Sequence, residues 1–174
     1  GDLFIFSSQL IHGTEVSKKS NTRISFDFRI AKNEEDLKGA SKIILPGVGS
    51  FDAAIDSLNK SGMRTTLDEL VLEKKIEVLG ICVGMQIMCK SSKEGTKQGL
   101  GWIDAEVKKI EEKDLYPLPH MGWNTLHVKK DDKMFNDIIS DSEFYFLHSY
   151  YIESENKFVI AYSDYSCEIA SVIK

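Results

Sequence analysis

Two apolar runs that each end in a glycine-rich turn constrain the fold of this chain most. The first is KIILPGVG at 42–49 and the second is IEVLGICVG at 76–84, and each is predicted to begin as a buried strand. Between them lie two segments with apolar residues at helical spacing, and Ser50 is a candidate N-cap. Another helix is predicted directly after Cys82. Strand, helix, strand and helix at this spacing indicate a parallel sheet with right-handed crossovers, and therefore an α/β fold.

The second half of the chain is richer in aromatic and β-branched residues, which favour strands. Five segments have this character: LGWIDAEVKKI, NTLHVKK, EFYFLHSYYI, FVIAYSDY and CEIASVIK. The chain has 174 residues, without an interdomain linker or internal repeats, which suits one compact domain.

Charge and composition exclude several classes of function. The net charge is −5 and the basic residues form scattered pairs, so a nucleic-acid surface is not expected. No apolar segment approaches the roughly 20 residues that span a bilayer, and no signal peptide is recognised, so we expect a cytoplasmic protein without membrane contact. The three cysteines lack metal-type spacing, which predicts reduced thiols, with no metal and no cofactor.

The motif GICVG, residues 80–84, has the pattern of a nucleophile held on a sharp turn between a strand and a helix. Small residues such as Gly80 and Gly84 allow the close backbone approach that such a turn needs. A helix N-terminus after Cys82 favours the thiolate, and the amide of Val83 is well placed to bind an oxyanion. The alternative is that Cys82 is an inert thiol between two glycines.

The turn LPGVGSF follows a neighbouring parallel strand, where α/β sheets build their sites. Its free amides, from Val48 and Gly49, can point at the negative charge of a tetrahedral intermediate. Taken alone, the same residues describe a plain tight turn.

Five motifs in this order and spacing closely resemble the class I glutamine amidotransferases, and among them the glutaminase subunit of imidazole glycerol phosphate synthase. The motifs are ILPGVGSF, GICVGMQ, GLGWIDAEV, PHMGWNTL and FYFLHSYY. The resemblance covers roughly residues 33–174. It implies a three-layer fold with a mostly parallel central sheet and added antiparallel strands.

The resemblance implies a role for each matching residue. Cys82 attacks the side-chain amide of glutamine and forms a glutamyl thioester, with the amides around Gly47, Val48, Gly49 and Val83 as the oxyanion hole. The implied substrate-binding residues are Gln86, Glu94, His148, Ser149 and Tyr150. A loop formed by His120, Met121, Gly122, Trp123 and Asn124 is implied to face the partner, a (β/α)₈-barrel cyclase that consumes the ammonia.

Other interpretations stay open for individual residues. Gln86 can be an exposed helix residue, Glu94 a loop charge, His148 a core histidine and Trp123 ordinary packing. Cys89 and Cys167 are interpreted as structural.

The family's general base is a histidine in an HPE motif, and none of the four histidines here stands in one. A nucleophile needs such a base for acylation and deacylation. We therefore expect little or no glutaminase turnover from this polypeptide.

Residues 1–31 are interpreted as an atypical segment before an amidotransferase domain at 32–174 that lacks its C-terminal part. Within it, His12 and Arg23 have the spacing of a metal-binding histidine and an oxoglutarate-binding arginine in iron- and 2-oxoglutarate-dependent oxygenases. Because the rest of that metal site is absent, three-ligand coordination cannot form. The segment is interpreted as a fusion relic, with a chance resemblance of this short motif as the alternative.

Two alternatives accompany the glutaminase hypothesis. One is a non-catalytic protein that binds glutamine or the cyclase without turnover. The other is a paralogue that supplies ammonia for amination of a surface sugar. An oxygenase is a distant third.

Overall fold

The computed structural model describes residues 30–132, 135, 142–153, 155 and 157–174. The chain divides into two compact units, which are described separately. The first contains residues 30–49 and 53–85, and the second contains 50–52 and 86–174. The motif residues His12 and Arg23 lie outside the described residues. No helix in the described part is long and apolar enough to cross a membrane.

The first unit is built around a parallel pair of strands. Its elements are a 3₁₀-helix (Glu34–Leu37), β1 (Lys42–Gly47), most of α1 (Phe51–Lys60), α2 (Arg64–Asp68), a π-helical turn (Glu69–Glu73), β2 (Glu77–Cys82) and the start of α3 (Val83–Gln86). Asn33 caps the 3₁₀-helix through its side-chain oxygen, which accepts from the amides of Glu35 and Asp36. β1 and β2 run parallel from Lys42↔Glu77 to Gly47↔Cys82, as the sequence predicts.

The second unit contains the remaining strands. They are β3 (Cys89–Ser92), β4 (Ile103–Lys109), β5 (His120–Thr125), β6 (His127–Val128), β7 (Glu143–His148), β8 (Tyr150–Tyr151), β9 (Val159–Tyr165) and β10 (Cys167–Ile173). β4 pairs in parallel with β3 and antiparallel with β8, β5 pairs antiparallel with β7, and β9 lies antiparallel between β6 and β10. Leu126, Phe135, Ile160 and Ala161 form a buried cluster against which Val172 packs.

The α/β class is confirmed, and two local predictions change. β2 was predicted to be buried, but Leu79 and Ile81 are nearly half exposed, since β2 pairs with β1 alone among the described strands. The second predicted helical stretch, TTLDELVLEKK at 65–75, is interrupted, because α2 passes into a π-helical turn at Glu69. Neither difference affects the predicted pairing of β1 and β2 at their carboxyl ends, where the candidate nucleophile lies.

Candidate active site

Cys82 is the last residue of β2, and its backbone has φ of +55°. The left-handed region costs a residue with a side chain roughly 1–2 kcal/mol, and such strain is concentrated at functional sites. The thiol is exposed, and α3 begins at the next residue, Val83. The chain therefore has the strained strand-to-helix turn that presents a nucleophile.

Two glycines allow the backbone to pack closely around this turn. A Cβ on Gly84 would lie 1.7 Å from the carbonyl oxygen of Leu45, and a Cβ on Gly47 would lie 2.6 Å from the amide nitrogen of Gly84. Gly47 is also the residue paired with Cys82 in the parallel ladder. The glycine-rich turn after β1 is thus held against the turn that carries the cysteine.

The residues that follow Gly47 are open to solvent. The side chain of Val48 is 74% exposed, and Gly49 has φ of +97°, which favours glycine. The function of this turn as an oxyanion hole, together with the Val83 amide, stays a prediction.

In the second unit, Gln86 is buried and held by a hydrogen bond. Its side chain is 6% exposed, and Nε2 donates to the carbonyl oxygen of Tyr150 at 3.1 Å. The alternative of an exposed helix residue is therefore wrong. Since Nε2 is engaged by Tyr150, the amide oxygen is the acceptor that Gln86 offers to another group.

Glu94 is part of a loop that is tied to the first turn of α1. Its Oε2 accepts from the amide of Phe51 at 2.7 Å, and its own amide donates to the Ser92 hydroxyl at 3.1 Å. In return, the Asp52 carboxylate accepts from the amides of Thr96 at 3.0 Å and Lys97 at 3.1 Å. These backbone hydrogen bonds lower the pKa of Asp52. The reciprocal contacts fix the position of the Glu94 carboxylate.

The segment His148–Tyr150 is half-buried and hydrogen-bonded on both sides. His148 Nδ1 lies 2.9 Å from the Tyr150 carbonyl oxygen, and the Ser149 carbonyl oxygen accepts from the Ile110 amide at 2.9 Å. His148 Nε2 lies 3.2 Å from Nδ1 of His120 on the paired strand. The structure therefore brings Gln86, His148 and Tyr150 together within the second unit.

Residues His120–Asn124 were predicted as a loop, and this prediction is wrong because they form strand β5. Side chains alternate along the strand, so Met121 and Trp123 are exposed while His120 is 3% exposed. Trp123 is 69% exposed, which also excludes its interpretation as ordinary packing. The exposed face of this strand therefore carries Met121 and Trp123, while the His120 side chain lies inside.

Two residues beside the candidate site residues, Asp52 and Tyr165, were not predicted from the sequence. Asp52 had a readable signal, because an acidic residue in the first helical turn after Ser50 is typical of a helix start. Tyr165 had none. Its ring stacks on His120 with centroids 3.9 Å apart, a contact between strands that are 45 positions apart in the sequence.

The other cysteines differ from Cys82 in their surroundings. Cys89 is fully buried, and burial raises the pKa of its thiol to about 12, so it stays protonated. Cys167 is exposed at the start of β10. Within the described ranges no group of three or more His, Cys, Asp or Glu side chains is arranged to hold a metal ion.

Comparison with known proteins gives a consistent result. The family model "Glutamine amidotransferase class-I" matches residues 5–174. The imidazole glycerol phosphate synthase subunit HisH of Leptospira interrogans is 49% identical over 146 residues, which is 82% of this chain and 72% of that protein. The subunit of the same name from Bdellovibrio bacteriovorus is 41% identical over 155 residues, covering 87% and 76%. A crystal structure of a glutamine amidotransferase superposes with a TM-score of 0.59 at 16% identity, over 79% of this chain and 68% of that one, and supports the fold alone.

Proposed function

This chain belongs to the class I glutamine amidotransferase family, and we propose that it is the glutaminase subunit of an imidazole glycerol phosphate synthase. In this role it hydrolyses glutamine to glutamate and passes ammonia to a cyclase subunit in histidine biosynthesis. One structural observation carries the proposal. It is the exposed thiol of Cys82 in a left-handed backbone conformation, paired in the ladder with Gly47 of the glycine-rich turn.

The reaction begins when the Cys82 thiolate attacks the side-chain carbonyl carbon of glutamine. The carbonyl oxygen becomes an oxyanion, which amides of Val48, Gly49 and Val83 stabilise. The C–N bond then breaks, the nitrogen takes up a proton and leaves as ammonia, and a glutamyl thioester remains on sulfur. Water hydrolyses the thioester and releases glutamate with the free thiol.

Residues of the second unit bind the amino-acid end of glutamine. The Glu94 carboxylate pairs with the α-ammonium group, and because a carboxylate accepts about four hydrogen bonds, it does so while keeping its bond from Phe51. The amide oxygen of Gln86 is a second acceptor for the ammonium group, since Nε2 is engaged by Tyr150. The backbone of Ser149 and Tyr150 holds the α-carboxylate.

The cyclase subunit binds the outer face of the β5–β7 pair. Met121 lies opposite Leu147 and Trp123 lies opposite Tyr145, and all four side chains are more than half exposed. The rings of Trp123 and Tyr145 meet edge to face with centroids 5.7 Å apart. Aromatic residues and Met are enriched at protein interfaces, and a relative of this chain is itself described as a synthase subunit.

Labelling by a glutamine analogue with an electrophilic carbon in place of the side-chain amide tests the proposal. Mass spectrometry should find one adduct, at Cys82, and free glutamine should protect it. Cys82→Ala should abolish the adduct, whereas Cys167→Ala should leave it unchanged, because Cys167 is an exposed thiol outside the strained turn. Equal labelling of both cysteines, or labelling that glutamine does not reduce, would contradict the glutaminase function.

The same experiment separates the enzyme from a non-catalytic binding protein. Saturable glutamine binding without any Cys82 adduct would establish a binding protein. Labelling does not require turnover, so it reports on the nucleophile separately from the general base.

A further inference from the structure

A continuous chain of hydrogen bonds runs through the second unit and connects two buried or half-buried histidines. Asn124 Nδ2 lies 3.2 Å from His120 Nε2, His120 Nδ1 lies 3.2 Å from His148 Nε2, and His148 Nδ1 lies 2.9 Å from the Tyr150 carbonyl oxygen. The two histidines are direct partners in the β5–β7 ladder. The chain therefore links two strands to the segment that follows β7.

The groups at the two ends fix the direction of every hydrogen bond in between. The Tyr150 carbonyl can only accept, so His148 must carry its proton on Nδ1. A neutral His148 then accepts at Nε2, which requires a proton on Nδ1 of His120. His120 Nε2 is consequently an acceptor, and the Asn124 amide nitrogen donates to it.

The amide of Asn124 is itself oriented by the backbone. Its Nδ2 also donates to the carbonyl oxygen of Asp164 at 2.9 Å, and its Oδ1 accepts from the Thr125 amide at 2.8 Å. The opposite orientation of the amide would place an oxygen against the Asp164 carbonyl and a nitrogen against the Thr125 amide. The donor at the start of the chain is thus determined by contacts outside the histidine pair.

Both imidazoles are held neutral and in place. Burial lowers the pKa of His120 to about 4, with the neighbouring His148 as a second cause, and burial also lowers the pKa of His148. The His120 ring stacks on the rings of Phe146 and Tyr165, with centroids 5.1 and 3.9 Å away. A neutral ring that cannot rotate keeps its donor and acceptor on fixed sides.

The chain ends on an atom that a predicted substrate residue shares. The Tyr150 carbonyl oxygen accepts from His148 and, at 3.1 Å, from Nε2 of Gln86. This oxygen therefore sets the direction of the Gln86 amide, and His148 sets the position of the oxygen. His120 has no part in the sequence-based substrate site, yet it stands one hydrogen bond behind it.

We propose that His120 is a positioning residue for glutamine binding: its Nδ1–H donates to Nε2 of His148, supports the Nδ1–H tautomer that the Tyr150 carbonyl requires, and thereby helps to align that carbonyl with the Gln86 amide. This proposal rests on the proposed glutaminase function, in which Gln86 and the His148–Tyr150 segment bind glutamine. It assigns to His120 a function that differs from the partner-facing one implied by the sequence. The side chain acts inward, through its two ring nitrogens.

Nitrogen-15 NMR of the histidine rings tests the tautomers without reference to any ligand. The chain has four histidines, so histidine-selective labelling gives a simple spectrum. At pH 7, His120 and His148 should both carry their proton on Nδ1, although free imidazole side chains favour Nε2. A proton on Nε2 of either ring, or a doubly protonated ring, would overturn the proposal.

Glutamine affinity tests the positioning role. His120→Phe keeps the stacked ring but removes both nitrogens, and should weaken glutamine binding about tenfold, the effect of roughly one lost hydrogen bond. His120→Asn keeps a donor near the position of Nδ1 and should bind within about threefold of the parent chain. His127→Asn, which alters a partly exposed histidine paired with Asp164, is the matched control and should bind unchanged.

The outcomes separate this proposal from the function on which it rests. If the parent chain does not bind glutamine, the proposed function fails and the positioning role fails with it. If the parent chain binds and His120→Phe binds equally well, only the positioning role is overturned. If His120→Phe does not fold, the glutamine affinities of His120→Asn and His120→Gln are compared instead, since Gln places no donor at the Nδ1 position. Equal binding by these two variants would contradict the proposal.

Discussion

Gly84 packs directly against the carbonyl group of Leu45, so closely that a Cβ on Gly84 would lie 1.7 Å from the Leu45 oxygen and 2.6 Å from its carbon. Both obstructing atoms belong to the backbone of β1, which cannot rotate away as a flexible side chain can. Gly84, two residues after Cys82, is therefore a steric requirement of the contact between the turn and the neighbouring strand. Any larger residue must separate the two.

Gly84→Ala should consequently destabilise the first unit by about 3 kcal/mol, the upper range for overpacking at a rigid contact. Urea unfolding followed by circular dichroism measures the change. Gly62→Ala is the control, because Gly62 has φ of +74° with nothing within 4 Å of an added Cβ. Gly62→Ala should lose only about 1 kcal/mol of unfolding free energy, the cost of a side chain in the left-handed backbone conformation. Equal losses in both variants would show that the Leu45 contact is not limiting.

At Gly84 a glycine is replaced at a cost in stability, whereas at Cys82 the introduction of a glycine should relieve backbone strain. Glycine adopts φ of +55° without steric cost, so Cys82→Gly should be more stable than Cys82→Ala by about 1 kcal/mol, although both lose the nucleophile. Lys75 has φ of +57° and is exposed, and the pair Lys75→Gly and Lys75→Ala should show the same difference without affecting labelling of Cys82. Unfolding free energies of the four variants check this. Greater stability of Cys82→Ala would mean that the turn is not strained.

Much of this architecture can be predicted from local sequence signals. The remaining part is determined by contacts between segments that are distant in the sequence. The strands β1 and β2 and the turn at Cys82 follow from apolar runs and glycine positions, which act locally. A loop was expected at 120–124 because the family resemblance implied one, and Gly122 and Asn124 are of residue types depleted in strands. The pairing of β5 with the aromatic β7 outweighs that propensity. The histidine chain could not be predicted, since it requires the β5–β7 register and the Tyr165 ring.

The histidine pair also gives stability a pH dependence. Burial holds the pKa of His120 at about 4, below its ordinary value of 6.5, so between these values the unfolded chain binds more protons than the folded one. The contribution of neutral His120 to the free energy of unfolding should be fully present above about pH 6.5. It should be lost as the pH decreases toward 4, a loss of about 3 kcal/mol. Urea unfolding at pH 7 and pH 4.5 measures the loss. His120→Phe should reduce the loss of stability between these pH values, and His127→Asn should not. An identical pH dependence in the parent chain and both variants would exclude His120 as its source.

Asp52 is predicted to support glutamine binding through the loop that carries Glu94. Its carboxylate accepts from the amides of Thr96 and Lys97, and Asp52→Ala removes both bonds while leaving Glu94 unchanged. Calorimetry should show roughly fivefold weaker glutamine binding for Asp52→Ala and a smaller loss for Asp52→Asn, which keeps one acceptor oxygen. Asp104→Asn alters an exposed carboxylate that pairs with Lys90 and is the control. Unchanged affinity in Asp52→Ala would show that the Glu94 loop holds its position without this contact.

The outer face of β5–β7 is predicted to bind the cyclase through its aromatic pair. Because a few buried aromatic residues dominate interface energies, Trp123→Ser should weaken the complex by at least about 2 kcal/mol, or roughly thirtyfold in Kd. Leu115→Ser removes an apolar side chain that is 85% exposed and lies outside this face, so it should leave the affinity unchanged. Titration of the cyclase by calorimetry measures both, and labelling of Cys82 verifies that each variant is folded. Equal affinity of Trp123→Ser and the parent chain, or an equal loss in Leu115→Ser, would place the cyclase on another surface.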